Sequence, residues 1–258
     1  MLQFDEATTR ILEDAYHGAD VTARRRASFD ALAPKNGDHI LDLGCGNGLM
    51  TLELSRAVGP AGHVTGLDPS ADMCSAARSR CQDRENVTLT EGHADAIPAS
   101  DQSFDKAVSV QVFEYIAPRE PSLAELHRTL RSGGRLVIAD MHFDTFAWHS
   151  DSPTRMRRMM DIWEGHVAEP RIPALLPAEL ADAGFVVEDL VPHCMTAHHL
   201  APDGMPMMLI RLMHAYAVSN DEMARDEADG WADEQTRLDR DGRFFFSLTH
   251  YVCVARRP

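Results

Sequence analysis

Three glycines spaced two apart, Gly44, Gly46 and Gly48, close the segment ILDLGCGNG at residues 40–48. Glycine lets the chain turn sharply and lets a ligand approach the main chain with no Cβ in the way, while the start of a following helix attracts negative charge. A loop of this kind after an apolar strand suits either a dinucleotide or a nucleoside carrying a sulfonium amino acid. The dinucleotide fingerprint G-x-G-x-x-G would place its third glycine at position 49, where this sequence has Leu49. Asp42 sharpens the choice: inside an apolar strand, two residues before the first glycine, a carboxylate repels a pyrophosphate and attracts an ammonium or sulfonium. That favours S-adenosylmethionine over NAD. Asp68, twenty residues past Gly48 at the end of the next apolar run, is placed to accept from ribose hydroxyls and serves either ligand.

A second group of reactive side chains follows the apolar run RLVIAD: Asp140, His142, Asp144 and His149, with His166 three residues past Trp163. Asp140, His142 and His149 are the candidates for a base that would take a proton from an attacking nucleophile. His193, His198 and His199 lack Cys or carboxylate partners at ligand spacing, so no metal site is expected. In the first thirty residues, Tyr16 and the run Arg24, Arg25, Arg26 are the polar groups that could reach a bound amino acid carboxylate.

The elements that would position these groups alternate. Residues 1–33 read as helical, interrupted near Gly18. HILDLG, HVTGLD, VTLTEG, FDKAVSVQVF and RLVIAD read as strands, separated by the helices LMTLELSRAVG, SADMCSAARSRCQD and EPSLAELHRTLRSGG. LPAELADAGF and VVEDLV add a helix and a strand, and FFFSLTHYVCVARRP supplies the seventh strand. Such alternation predicts an α/β fold, a doubly wound and mostly parallel seven-stranded sheet of Rossmann-like type, with a helical N-terminal segment and cap insertions. The expected organisation is a helical segment at 1–34, a cofactor-binding core at 35–140, and a cap at 141–178. The rest of the core follows at 179–258, with a helical insertion at about 193–243. Ten of the thirteen methionines fall between 141 and 223, which suits a lid over a greasy or aromatic molecule. The stretch 220–243, with nine acids and four arginines, reads as a solvated helix face.

The chain has 258 residues, 44% of them hydrophobic, and a formal net charge of −15, which opposes binding to a nucleic-acid backbone. Five scattered cysteines without a CxxC pair fit a reducing compartment. The opening MLQFDEATTR lacks a signal pattern and no apolar run is long enough to span a membrane, so a cytoplasmic location is expected.

In order and spacing, ILDLGCGNG, VTGLDPSADM, EGHADAIPASDQSFDKAVSVQVFEYI and LHRTLRSGGRLVIAD resemble the successive motifs of class I S-adenosylmethionine-dependent methyltransferases. They look most like the bacterial small-molecule branch that includes the quinone-biosynthesis methylases, over roughly residues 35–140. The resemblance implies that the backbone of Gly44, Cys45 and Gly46 packs against the methionine portion, with Asp42 near its amino group and Asp68 on the ribose. Pro69 and Met73 would border the adenine, and Asp95, between Ala94 and Ala96, would accept from the adenine amino group. Gln111 would offer its carbonyl to the methionine amine, with Val112 and Tyr115 at the flank. Tyr16 belongs to a segment that often closes over the cofactor in this family. The implied activity is methyl transfer to a small apolar or aromatic metabolite, with S-adenosyl-L-homocysteine as the spent cofactor. The rivals are a methyltransferase-like protein that binds without transferring and, behind it, an NAD-dependent oxidoreductase. A small-molecule substrate is the expected partner; a homodimer is left open.

Overall fold

The computed structural model describes residues 18–258, so Tyr16 lies outside the described residues. Helix α1 (Ala19–Leu32) leads into β1 (His39–Leu43) and α2 (Leu49–Val58). There follow β2 (His63–Asp68), α3 (Ala71–Arg80), β3 (Val87–Glu91) and β4 (Phe104–Val110). A 3-10 turn (Phe113–Tyr115) precedes α4 (Glu120–Thr129) and β5 (Leu130–Trp148). The remainder is α5 (Pro153–Glu164), α6 (Ile172–Asp182), β6 (Val186–Ala197), α7 (Met205–Ser219), α8 (Arg225–Arg240) and β7 (Phe246–Arg256).

The seven strands form one sheet in the order β3-β2-β1-β4-β5-β7-β6. All neighbours run parallel except β7, which is antiparallel to both β5 and β6. Helices cover both faces because the central strands β1, β4 and β5 are apolar on both. Leu54 and Val58 of α2 and Leu32 of α1 pack with Val108, Val137 and Val252 on one side. Leu123 and Leu126 of α4, with Leu176 and Leu180 of α6, pack with Leu136 and Ile138 on the other. The strand order reverses at β1, whose neighbours are β2 and β4, and a crevice opens beyond the carboxyl ends of strands at such a reversal.

Several element boundaries differ from the sequence expectation, and β6 runs on past Val191 to Ala197 beside β7, in place of the helical insertion expected from about 193. β4 ends at Val110 instead of running through Phe113, because Gln111 takes a positive φ of 56° and turns the chain into the 3-10 turn. α4 stops at Thr129, ahead of the glycines at 133 and 134, since Leu130 already pairs with Phe104. β5 does not end at Asp140 but continues to Trp148 beside β7, across an irregularity between His142 and Ala147.

A third apolar cluster joins this extension to α5, α7 and α8 through Trp148, Met156, Met159, Trp163, Met213 and Trp231. It also takes in Val21 of α1 and Met73 of α3, so the methionine-rich segment is packed core continuous with the edge of the crevice. The acidic stretch is not wholly solvated: α8 buries Trp231, Gln235 and Leu238, and Glu234 is only 5% exposed. Buried Glu234 accepts from Ser150 Oγ at 2.9 Å, from the Asp151 N–H at 2.6 Å and from Arg155 at 2.5 Å.

Candidate active site at the glycine loop

The loop after β1 is stitched to the end of β2 by its own backbone. Gly44 and Cys45 both donate to the Leu67 carbonyl, at 2.7 and 3.1 Å. Gly44 has φ +71°, and a Cβ there would lie 2.1 Å from a Val112 methyl, so both the backbone conformation and the space demand glycine. Above Gly46, φ +51°, nothing stands within 4 Å of where a Cβ would be, and this leaves its main chain bare to a ligand. The Cys45 side chain turns the other way, buried against Gly66, and burial pushes its thiol well up.

Asp68 is anchored at the end of β2. One oxygen accepts from the Gly46 N–H and the other from the Ser70 N–H, both at 2.9 Å, and spare lone pairs on each remain for a ligand's hydroxyls. Burial raises this carboxyl, and the two amide donors work against that rise. Asp42 lies deeper, 3% exposed, and accepts from Thr51 Oγ1 at 2.5 Å. Burial pushes it up to about 7, the Thr51 hydroxyl opposing.

Val21, Arg24, Asp42, Gly44, Gly46 and Gln111 line a hollow of about 80 Å³ in front of the loop. The run of three arginines divides. Arg24 is 4% exposed and donates to the Gln111 side chain across the hollow. Arg25 pairs with Glu53 at 2.9 Å, and Arg26 lies over the Phe29 ring at 4.8 Å. A larger hollow of about 310 Å³ between α5 and α8 is lined by Asp151, Arg155, Glu234 and Arg237, paired as Arg155 with Glu234 and Arg237 with Asp151.

The other residues singled out from the sequence fall around this loop or away from it. Met73 is buried and Pro69 exposed, both beside Asp68; Ala94, Asp95 and Ala96 lie in the loop after β3, with Asp95 exposed. Val112 presses on Gly44 and Tyr115 closes the turn. The three base candidates are not gathered. Asp140 is 1% exposed and accepts from the Val112 N–H at 3.1 Å and the Glu114 N–H at 3.4 Å. His142 is half-buried, its ring 6.1 Å from that of Tyr251. His149 stands exposed past the far end of β5. His166 is instead enclosed: it stacks on Trp163 at 3.6 Å and meets Tyr115 and Phe143 edge-on at 5.8 Å, and burial pushes it down to about 4.

Sequence reasoning did not single out Thr51, Glu114 or the Arg24–Gln111 contact. Thr51 carried a weak signal as a hydroxyl in the first turn of the helix after the loop. Among the described residues no group of His, Cys, Asp and Glu could hold a metal ion, and no helix is long and apolar enough to cross a membrane.

A sheet of order 3-2-1-4-5-7-6 with an antiparallel seventh strand, a bare glycine loop after β1 and an acid closing β2 define the Rossmann-like methyltransferase class. Residues 40–134 match the family model described as methyltransferase domain. An uncharacterised 37.1 kDa protein in transposon Tn4556 of Streptomyces fradiae is 31% identical over 229 residues, 88% of this chain and 65% of that protein. The 2-phytyl-1,4-naphtoquinone methyltransferase of a Nostoc strain is 36% identical over 128 residues, 46% of this chain and 56% of the relative. The chain thus spans less than two thirds of either relative.

Two solved structures share the fold. Phosphoethanolamine N-methyltransferase 2 of Haemonchus contortus, in complex with S-adenosyl-L-methionine, aligns with a TM-score of 0.65 at 16% identity, over 99% of this chain and 58% of that one. The [4+2]-cyclase SpnF aligns with a TM-score of 0.60 at 20% identity, over 92% and 82%.

Proposed function

We propose that the chain transfers the methyl group of S-adenosyl-L-methionine to a small apolar or aromatic acceptor. The observation that carries this reading is the convergence of bare Gly46, anchored Asp68 and buried Asp42 on one hollow at the strand-order reversal. When bound, the cofactor supplies a sulfonium-activated methyl group that a nucleophile displaces in line.

The chain's own residues would hold and orient it. A hollow of about 80 Å³ is sized for the amino acid end alone, so the nucleoside would lie along Asp68, Pro69 and Met73 toward Asp95. Gly44 and Gly46 would offer main chain to the ligand, Asp42 and the Gln111 carbonyl would hold the ammonium, and Arg24 would hold the carboxylate. Val112 and Tyr115 would stand on the methyl side. Excluding water and fixing the two reactants at about 3–3.5 Å provides much of the rate in such a displacement. Of the base candidates, His142 is half-buried within β5, just before its irregularity, and its Nδ1 has no partner among the described residues.

The apolar acceptor is supported by the aromatic cluster beside Tyr115, in which Phe143, Trp163 and Tyr216 pack around His166. The structural likeness to a [4+2]-cyclase favours one alternative, that the fold binds the cofactor without transferring its methyl group. The two readings part on one measurement. Incubation with methyl-labelled cofactor and metabolite extracts should yield a labelled product together with S-adenosyl-L-homocysteine. Tight binding with no release of that product supports the alternative, and a thermal shift with NADH alone rejects both.

A further inference from the structure

Two acids that none of the roles above employs as a pair lie behind the wall of the hollow. Glu114 is 2% exposed and Asp140 1%, and each has one carboxylate oxygen, Oε2 and Oδ2, without a partner among the described residues. Their other contacts are fixed. Asp140 Oδ1 caps the turn by accepting from the Val112 and Glu114 N–H groups. Glu114 is held by the Tyr115 hydroxyl and the Met141 N–H, while its own carbonyl accepts from Ala168 and Glu169.

The charges around the pair do not balance. From α1 the Arg24 guanidinium acts on both acids. From β7, Tyr251 sits opposite Asp140 in register, with the His142 ring beyond it. His250, on the same strand and fully buried, is kept neutral by burial and by Arg24. From the loop after α5, Glu169 turns aside to the Arg171 N–H. Among the described residues one cation thus faces two buried acids, and two adjacent carboxylates out of water cannot both be charged without further positive charge. Burial and mutual repulsion raise Glu114 well above the usual carboxylate range, and burial carries Asp140 to about 7.

We propose that Glu114 and Asp140 share one proton and release it to solvent when a sulfonium-bearing ligand fills the neighbouring hollow, so that the site senses the ligand's charge. The proposal rests on the cofactor reading above. Binding adds one positive charge beside the pair, the carboxyl O–H bond breaks, and the proton leaves to buffer. When the bound ligand is the uncharged thioether, that charge is missing and the pair keeps its proton. Asp42, raised to about 7 in the same hollow, also feels the sulfonium, and Asp42→Asn removes its share.

The test is calorimetric titration at pH 7 in buffers of contrasting ionisation enthalpy, with S-adenosylmethionine and then S-adenosylhomocysteine. The wild type should release more protons with the first ligand, by up to about one, and Glu114→Gln or Asp140→Asn should shrink that difference. Equal proton release for the two ligands, or a difference unchanged in both variants, overturns the proposal and leaves the cofactor reading standing. Absence of binding by either ligand ends both. If those variants fail to fold, Asp42→Asn, which removes the rival acid, decides. Its preference for the charged ligand should rise with pH, by up to about tenfold per unit through the titration of the pair, and a flat ratio rejects the idea.

Discussion

Asp68 reaches back from the end of β2 to accept the Gly46 N–H at 2.9 Å, so the acid expected to hold a ribose also holds the loop expected to hold a methionine. Asp68→Ala therefore removes two functions together. Cofactor affinity should fall about tenfold to a hundredfold, in line with the roughly 1.5–3 kcal/mol of a hydrogen bond to a charged group. Titration calorimetry checks this; affinity within twofold of wild type would remove Asp68 from the ligand site.

Alanine at Gly44 and at Gly46 should separate strain from collision. Both residues have positive φ, but a Cβ on Gly44 would lie 2.1 Å from Val112 whereas one on Gly46 meets nothing within 4 Å. Gly46→Ala should cost about 1–2 kcal/mol of stability from the backbone alone. Gly44→Ala should cost clearly more, and adding Val112→Ala should return part of the loss. Urea denaturation of the three proteins reads the order directly.

His166 ties stability to acidity. Its pKa falls from 6.5 to about 4 on burial, so between those values the unfolded chain binds a proton there and the folded chain does not. Its contribution is constant above pH 6.5 and is lost as pH falls through that window, on the order of 3 kcal/mol in all. His166→Phe keeps a ring against Trp163 and cannot titrate. Its urea midpoint should fall less steeply than that of wild type between pH 6 and about 4.

Glu234 is the acceptor for three donors from the start of the cap, Ser150, the Asp151 N–H and Arg155. Glu234→Ala leaves them facing a buried gap and should destabilise the protein by about 2–4 kcal/mol. Burial raises this carboxyl, and Arg155, Ser150 and Asp151 together bring it below its usual value. The stabilisation is thus present above the unfolded pKa and disappears as pH falls through the lower folded value. Denaturation midpoints at pH 7 and below about 4 measure both effects.

The glycine loop, Asp42 and Asp68 were legible in the sequence because each answers a backbone demand or breaks an apolar run. The extension of β5 was not. Met141 and Phe143 keep a period of two, but the irregularity before Ala147 puts Trp148 out of step, so MHFDTFAW does not scan as a strand. Gln111 ends β4 at positive φ without being glycine, and nothing in QVFEYI marks the turn that places Glu114 behind the hollow. Arg24 reads as one of three surface arginines, and only the packing of α1 against the sheet buries it. The same is true of Glu234, one acid in a charged helix whose inward face becomes visible only when α8 docks.

β5 and β7 run on together from the sheet past the irregularity between His142 and Ala147 and pair again as far as Trp148 and Phe246. A hinge needs a segment where few contacts cross, and here a hydrogen-bonded ribbon crosses instead. The roof over the crevice is therefore welded to its foundation along this side. On the proposed reading, fitting acceptors of different girth would fall to rotamer changes among the methionines of α5 and α7, and selectivity would be a property of their soft side chains rather than of a swinging door.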